Sequence, residues 1–213
     1  LQPKVVVAEN VAGLMMGAAK EYVKKIYKAF QEAGYELKIE PYLLDASKMG
    51  VPQRRKRVFF IALRKDLSSQ FMESVDMFQT APKLDLEFNN KQIVFKKIKT
   101  KEKRVKLINS YLKHWGNTKE NGRSYETKNK TKFGFFYKAL PDLVCATITS
   151  GGSYAIQDKP ELLTDLEFCK IGSYPLDYNF LNNKPQYLIG MSVPPVMTAQ
   201  IATEIFNQWL NCL

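Results

Sequence analysis

Three short stretches of this 213-residue chain carry strongly hydrogen-bonding side chains at spacings that chemistry could use. Glu9-Asn10-Val11 follows directly on the apolar run Lys4–Ala8 (KVVVA). That placement predicts a carboxylate at the carboxyl end of a parallel strand, where open α/β folds bind ligands; a helix-capping or solvated glutamate is the plain alternative. In Gly50-Val51-Pro52-Gln53-Arg54-Arg55-Lys56-Arg57, an extended backbone would put Gln53, Arg55 and Arg57 on one face. Three planar heads in a row suit phosphate or base oxygens, because guanidinium presents a fixed fork of donors. A basic strand edge that deters aggregation would read the same. Gly190-Met191-Ser192-Val193-Pro194-Pro195 stands ahead of a helical stretch, and small residues there let backbone N–H groups approach a polar ligand closely. A structural cap is the competing reading.

The elements that must position these residues are legible in part. Lys4–Ala8 reads as a strand, and Gly17–Ala33, with apolar residues at helical spacing and Gly34 after it, reads as an amphipathic helix. Tyr35–Leu44 is a second strand region, and Arg57–Leu63 (RVFFIAL) a third, unbroken in hydrophobicity as buried strands are. The first 65 or so residues therefore predict part of an α/β sheet layer. From about Asp66 periodicity weakens and lysines accumulate, and Gly116–Tyr125 and Glu126–Lys132 read as loops. Further on, Thr164 and Glu167 predict a capping box at the start of a helix over Thr164–Ser173. Pro194–Leu210 predicts a closing amphipathic helix with prolines in its first turn.

The net charge is +11, and residues 91–132 alone hold 14 Lys/Arg against 3 Asp/Glu, so the rest of the chain is neutral. A solvated lysine-rich face is the bland reading. A polyanion-binding surface is the sharper one, since each phosphate neutralised releases counterions. Three widely spaced cysteines, Cys145, Cys169 and Cys212, fit neither a disulfide framework nor a zinc site. They predict a reducing, cytoplasmic compartment and no metal. No apolar run is long enough to span a bilayer. The chain opens on Leu1-Gln2-Pro3 and runs straight into a strand, without an initiator Met or signal peptide, so a piece of a longer polypeptide is expected. Cys145 and Cys169 read as small core residues, and Trp115 and Trp209 as core anchors. His114, the sole histidine, reads as a packing or DNA-contact residue rather than a catalyst.

Taken in order, these blocks resemble the DNA (cytosine-5) methyltransferase family, in its bacterial modification-methylase form. The resemblance rests on Lys4–Val11, Gly50–Ala62 (GVPQRRKRVFFIA), Pro141–Ser150 (PDLVCATITS), Leu163–Tyr178 (LTDLEFCKIGSYPLDY) and Tyr187–Pro195 (YLIGMSVPP). It implies an α/β fold, the carboxyl-terminal part of a Rossmann-like S-adenosylmethionine-dependent methyltransferase, plus a smaller, irregular target-recognition domain. It implies residues 1–66 as part of the catalytic domain, 67–163 as the target-recognition domain, 164–189 as a hinge segment and 190–213 as the return to the catalytic domain.

By the same resemblance Glu9 holds ring nitrogen 3 and the exocyclic amine of a flipped cytosine, Arg57 reaches its carbonyl oxygen, and Gln53 and Arg55 support that pocket. Attack on carbon 6 builds negative charge in the ring, which a shared proton at nitrogen 3 and a cation at the oxygen stabilise. The base must leave the helix to be reached. Met191, Ser192 and Val193 match the loop that closes over S-adenosylmethionine, and Thr147 the first residue of the target-recognition Thr-aliphatic pair. Double-stranded DNA is the implied partner, met also by Lys96, Lys97, Lys99, Lys101, Lys103, Arg104 and Lys106 of the basic segment.

The family's glycine-rich loop and Pro-Cys nucleophile precede the ENV block, and no cysteine here follows a proline. The nucleophile and most of the cofactor site are therefore expected outside this chain, in an amino-terminal half supplied by the same polypeptide or a separate subunit. Met191 stands where the family usually has Asn, and Glu161-Leu162 where an arginine is common. A non-catalytic DNA-binding subunit or remnant, or a tRNA cytosine methyltransferase of the same family, are the alternatives.

Overall fold

The computed structural model describes residues 1–76, 79–117 and 136–213. The expected loops over 116–132 lie almost wholly outside the described residues, as does the side chain of His114. The chain separates into two compact units, one formed by Leu1–Asp45, Lys56–Phe88 and Gln200–Leu213, the other by Ala46–Arg55 and Asn89–Ala199. These bounds differ from the expected division at 66–67, because the residues after Arg64 stay with the first unit through a hairpin and because the ten residues before Lys56 join the second.

In the first unit β1 (Val5–Val11), α1 (Lys20–Glu32), β2 (Tyr35–Leu37), β3 (Tyr42–Asp45) and β4 (Lys56–Arg64) form a sheet with one covering helix. Helix α1 ends where Gly34 takes a positive φ of 85°, the left-handed geometry that glycine adopts without a Cβ clash. Strand β4 is central, with β1 on one side and β2 and β3 on the other, and every one of these pairings is antiparallel. The unbroken apolar run of β4 reflects burial on both faces: Val58–Leu63 are all 3% exposed or less. Its even-numbered residues Val58, Phe60 and Ala62 pack against Val23, Ile26, Tyr27 and Phe30 of α1 and Val6 and Ala8 of β1.

Two expectations are corrected here. The strand does not stop before Glu9 but runs on through Val11, and its described pairing is antiparallel, with β1 and β2 running the same way and β4 reversed between them. Glu9 is thus a mid-strand residue held in register opposite Phe59, not a residue just past a strand end. A short helix, α2 (Lys65–Ser68), and the hairpin β5 (Met72–Asp76) with β6 (Gln79–Pro82) complete this part of the unit.

The second unit holds α3 (Asn109–Asn117), the parallel pair β7 (Phe136–Ala139) and β8 (Ser153–Ile156), α4 (Asp165–Ile171) and α5 (Pro185–Met191). Its core gathers Phe95, Ile98, Tyr137, Cys145, Ile148, Tyr154, Phe168, Ile171 and Ile189. The capping box forms as expected: Thr164 accepts from the Glu167 N–H while the Glu167 carboxylate accepts from the Thr164 N–H. Helix α6 (Pro195–Gln208) begins in this unit and ends in the first. There Trp209 is 1% exposed, lies against Phe71 and donates its indole N–H to the Lys83 carbonyl, as a core anchor should.

Candidate functional site

In the first unit the antiparallel register sets Glu9 opposite Phe59 and Val11 opposite Arg57, so Glu9 and Arg57 are diagonal neighbours on one face of the sheet. The Arg57 Nε lies 2.7 Å from the Glu9 carboxylate, with the two side chains 13% and 31% exposed. Arg57 also donates from Nη1 to the Lys56 carbonyl, which fixes the plane of its fork. Burial lowers the Arg57 pKa from its ordinary value, and the Glu9 charge partly restores it. The result is a partly exposed acceptor beside a largely buried donor, held by a buried strand. Such a pair can bind the edge of a planar ring that carries an amine, a ring nitrogen and a carbonyl.

Gln53 and Arg55 behave differently from Arg57, and the expectation of three heads displayed in a row is corrected. Both belong to the second unit and are buried, 0% and 1% exposed. The Gln53 side chain accepts from the Ile148 N–H at 3.0 Å and donates to the Ile171 carbonyl at 3.3 Å. Arg55 donates from Nη1 to the Ile148 carbonyl at 2.8 Å and from Nη2 to the Gly190 carbonyl at 2.9 Å. The period of two does place them on one face, but loop carbonyls of the same unit take up the donors that would have met phosphate or base.

Those contacts put Thr147 and the Met191–Val193 segment on the two sides of Arg55. Thr147 is half-buried and its hydroxyl donates to the Arg54 carbonyl. Met191 is 59% exposed. The Ser192 hydroxyl donates to the Ile189 carbonyl at 3.1 Å, and Val193 is half-buried.

The basic residues divide into two kinds. Arg104 is no surface cation: its Nη2 meets the Glu167 carboxylate at 2.5 Å and the Thr100 carbonyl at 2.8 Å, with the Arg104 and Glu167 side chains 9% and 0% exposed. Lys96 pairs with Asp142, and Lys99 pairs with Asp158 at 2.5 Å. Lys97, Lys101, Lys103 and Lys106 are exposed.

Sequence reasoning missed two contributors and misplaced a third. Glu167 was readable as a cap residue but not as the partner of Arg104, since the pair spans 63 positions. Tyr154 carries no motif, yet its hydroxyl donates to the Thr147 carbonyl at 2.8 Å and accepts from the Thr149 N–H at 2.7 Å. Trp115 donates to the Ile156 carbonyl and carries Lys138 over its ring at 4.5 Å, so it is half-buried rather than a full core anchor. Cys145 and Cys169 are buried, as expected of small core residues.

The first unit is an α/β sheet with a reversed central strand and an acid–guanidinium pair on its face, and comparison with known proteins gives the family. Residues 1–207 match the model of the C-5 cytosine-specific DNA methylases, and the chain belongs to that family. It is similar to the type II methyltransferase M.BbvI of Brevibacillus brevis, 28% identical over 208 residues that cover 91% of this chain and 55% of that protein. It is similar also to the type II methyltransferase M.NgoFVII of Neisseria gonorrhoeae, 24% identical over 96% of this chain and 59% of that protein.

Among solved structures, the Entamoeba histolytica methyltransferase EhMeth superposes with a TM-score of 0.62 at 16% identity, covering 97% of this chain and 63% of that one. The Schizosaccharomyces pombe methyltransferase Dnmt2 superposes with a TM-score of 0.58 at 16% identity, over 95% and 66%. These likenesses establish the methyltransferase fold. The chain spans a little over half the length of the curated full-span relatives it matches.

Proposed function

We propose that this chain is the carboxyl-terminal portion of a DNA (cytosine-5) methyltransferase, which transfers a methyl group from S-adenosylmethionine to carbon 5 of a flipped cytosine within a specific DNA sequence, in a restriction-modification setting. The observation that carries the reading is the 2.7 Å pairing of Glu9 with Arg57 on the sheet face. In this role Glu9 holds the proton at ring nitrogen 3 and accepts from the exocyclic amine, and Arg57 donates to the carbonyl oxygen. Charge that builds in the ring on attack at carbon 6 then falls on groups already in place, which is where a fixed acid and cation act most strongly.

Attack on carbon 6 needs a nucleophile. Burial holds the Cys145 thiol up at about 12 and raises that of Cys169, so neither supplies a thiolate near neutral pH; Cys212 is exposed but follows Asn211 and lies in no Pro-Cys pair. The reading assigns that step to chain outside these 213 residues. A polypeptide partner is supported by β1, which pairs with β4 alone among the described residues and leaves Val7 and Val11 about half exposed.

Met191–Val193 suits only the apolar side of an S-adenosylmethionine site. Met191 and Val193 offer an apolar rim, while the Ser192 hydroxyl and N–H are turned in on the Ile189 carbonyl and bring no polar contact. The bound group would supply the methyl to be transferred. The exposed Lys97, Lys101, Lys103 and Lys106, together with Thr147, would meet the DNA backbone and grooves. A non-catalytic DNA-binding subunit is the second reading, favoured by the two shielded thiols.

Labelled methyl transfer to duplex DNA tests the proposal. The 213-residue chain alone should transfer nothing yet bind DNA, and addition of the upstream segment, in the same or a separate polypeptide, should restore transfer. No transfer by the restored protein would leave only the subunit reading. Loss of DNA binding would sink both.

A further inference from the structure

We propose that Arg55 is a positioning residue that ties the Thr147–Ser150 segment to the Gly190–Val193 loop, so that what binds one of them is felt by the other. The proposal deepens the methyltransferase reading, on which it rests, because the first segment holds the candidate DNA residue Thr147 and the second the candidate cofactor residues. One guanidinium donates to both: Nη1 to the Ile148 carbonyl at 2.8 Å and Nη2 to the Gly190 carbonyl at 2.9 Å. Arg55 is 1% exposed, and charge-assisted bonds of this kind are among the strongest a side chain makes.

A second, independent observation is that the two backbones touch. A Cβ built on Gly190 would sit 2.3 Å from the Ser150 nitrogen and 2.5 Å from the Thr149 carbonyl carbon. Only glycine permits that approach, because backbone atoms cannot swing aside as a side chain can. Gln186, one turn earlier on α5, adds hydrogen bonds to the Thr149 and Gly152 carbonyls. Gln53 completes the frame by accepting from the Ile148 N–H and, at 3.4 Å, from Arg55 itself. Of these side chains Arg55 alone donates to both segments, and a shift of either carbonyl breaks half of its two-pronged contact.

Lysine keeps the charge of Arg55 but has no planar fork, so it reaches one carbonyl and not both. In amide hydrogen exchange of the free 213-residue chain, Arg55→Lys should raise exchange over 147–150 and 190–193 together, by about tenfold or more for the loss of one charged hydrogen bond. The β1–β4 sheet and the 94–99 turn should not change. Gly190→Ala, which leaves Arg55 in place and forces the backbones apart, should give the same paired gain and decides the matter if Arg55→Lys does not fold.

A second arm adds a short DNA duplex as the probe. Wild-type chain should gain protection over 147–150 and, through Arg55, over 190–193. Arg55→Lys should keep the first and lose the second, a change that loss of stability alone would not produce. Gain in only one segment, gain spread over the whole second unit, or transmitted protection that survives in Arg55→Lys overturns the proposal. A duplex that protects neither segment of the wild type counts against the DNA reading, while the free-chain arm still decides the joint.

Discussion

Arg104 and Glu167 form an ion pair at 2.5 Å whose acid is wholly enclosed, at the point where the basic segment crosses the start of helix α4. The same carboxylate accepts from the Thr100 N–H and the Thr164 N–H. One residue therefore caps a helix, anchors a loop and neutralises a cation, and the basic segment is pinned at Arg104 while its lysines stay outside.

Arg104→Ala should destabilise the chain by about 3–5 kcal/mol, the cost of leaving a buried charge without its partner. Urea denaturation followed by circular dichroism measures this. Adding Glu167→Gln to that variant should recover part of the loss, since the orphaned charge is gone. A single variant as stable as wild type would mean that the pair is solvated and that Arg104 belongs with the surface lysines.

The four exposed lysines should behave in the opposite way. Replacing Lys97, Lys101, Lys103 and Lys106 by alanine should leave the urea midpoint close to wild type and weaken DNA binding. The slope of log K against log salt should shrink by about 0.9 for each phosphate contact removed. Lys96→Ala and Lys99→Ala should shrink it less, because Asp142 and Asp158 already share those charges. An unchanged slope in the quadruple variant would assign the phosphate contacts to other residues.

How far the sequence foretold this depends on the range of the forces involved. The α1 amphipathic pattern, the Thr164–Glu167 cap and the apolar β4 run are local, and each formed where its residues predicted. Strand direction is not local: the same apolar run suits a parallel or a reversed central strand, so the antiparallel setting of Glu9 could not be read from it. Gln53, Arg55 and Arg57 have the same period and similar heads, and only the fold decides that the first two bind loop carbonyls while the third meets Glu9. Arg104 illustrates the same limit, for nothing near it in sequence marks it off from its lysine neighbours.

Thiol chemistry offers a sharp contrast. Cys145 and Cys169 are buried, while Cys212 is exposed. Under native conditions at pH 8 a maleimide should label Cys212 first and Cys145 last, with all three labelled in denaturant, as read by mass spectrometry. Fast native labelling of Cys145 would contradict both its burial and its raised pKa.

The alkaline limb of stability should carry the signature of Tyr154. Its hydroxyl, raised from 10.0 to about 12 chiefly by burial, stays neutral in the fold longer than in the unfolded chain. A group with a raised folded pKa stabilises fully below its unfolded value and loses that contribution as pH climbs through the folded one. Stability should therefore fall between about pH 10 and about pH 12. Tyr154→Phe, which cannot ionise, should flatten that fall while weakening the hold on Thr147 and Thr149 at neutral pH. An equally steep fall in Tyr154→Phe would assign it elsewhere, Tyr42 being the next candidate since it too is pushed to about 12 by burial.

Glu9 and Arg57 should separate catalysis from stability. The Arg57 side chain is 13% and the Glu9 side chain 31% exposed, and the amide of Glu9→Gln still offers Arg57 an oxygen acceptor, so that change should lower stability by only about 1 kcal/mol, read from the urea midpoint. If the pair grips the base, the same change in the restored full-length protein should lower turnover by about 10²–10⁴, the range of a positioned general acid, with DNA affinity little altered. Arg57→Ala should lower turnover comparably and also shorten retention of the extrahelical base, followed by 2-aminopurine fluorescence at the target position. The double variant should lose less than the two single losses multiplied together, because both groups hold one ring. Wild-type turnover in Glu9→Gln would reduce the pair to a cross-strand contact and remove the base pocket from this face of the sheet.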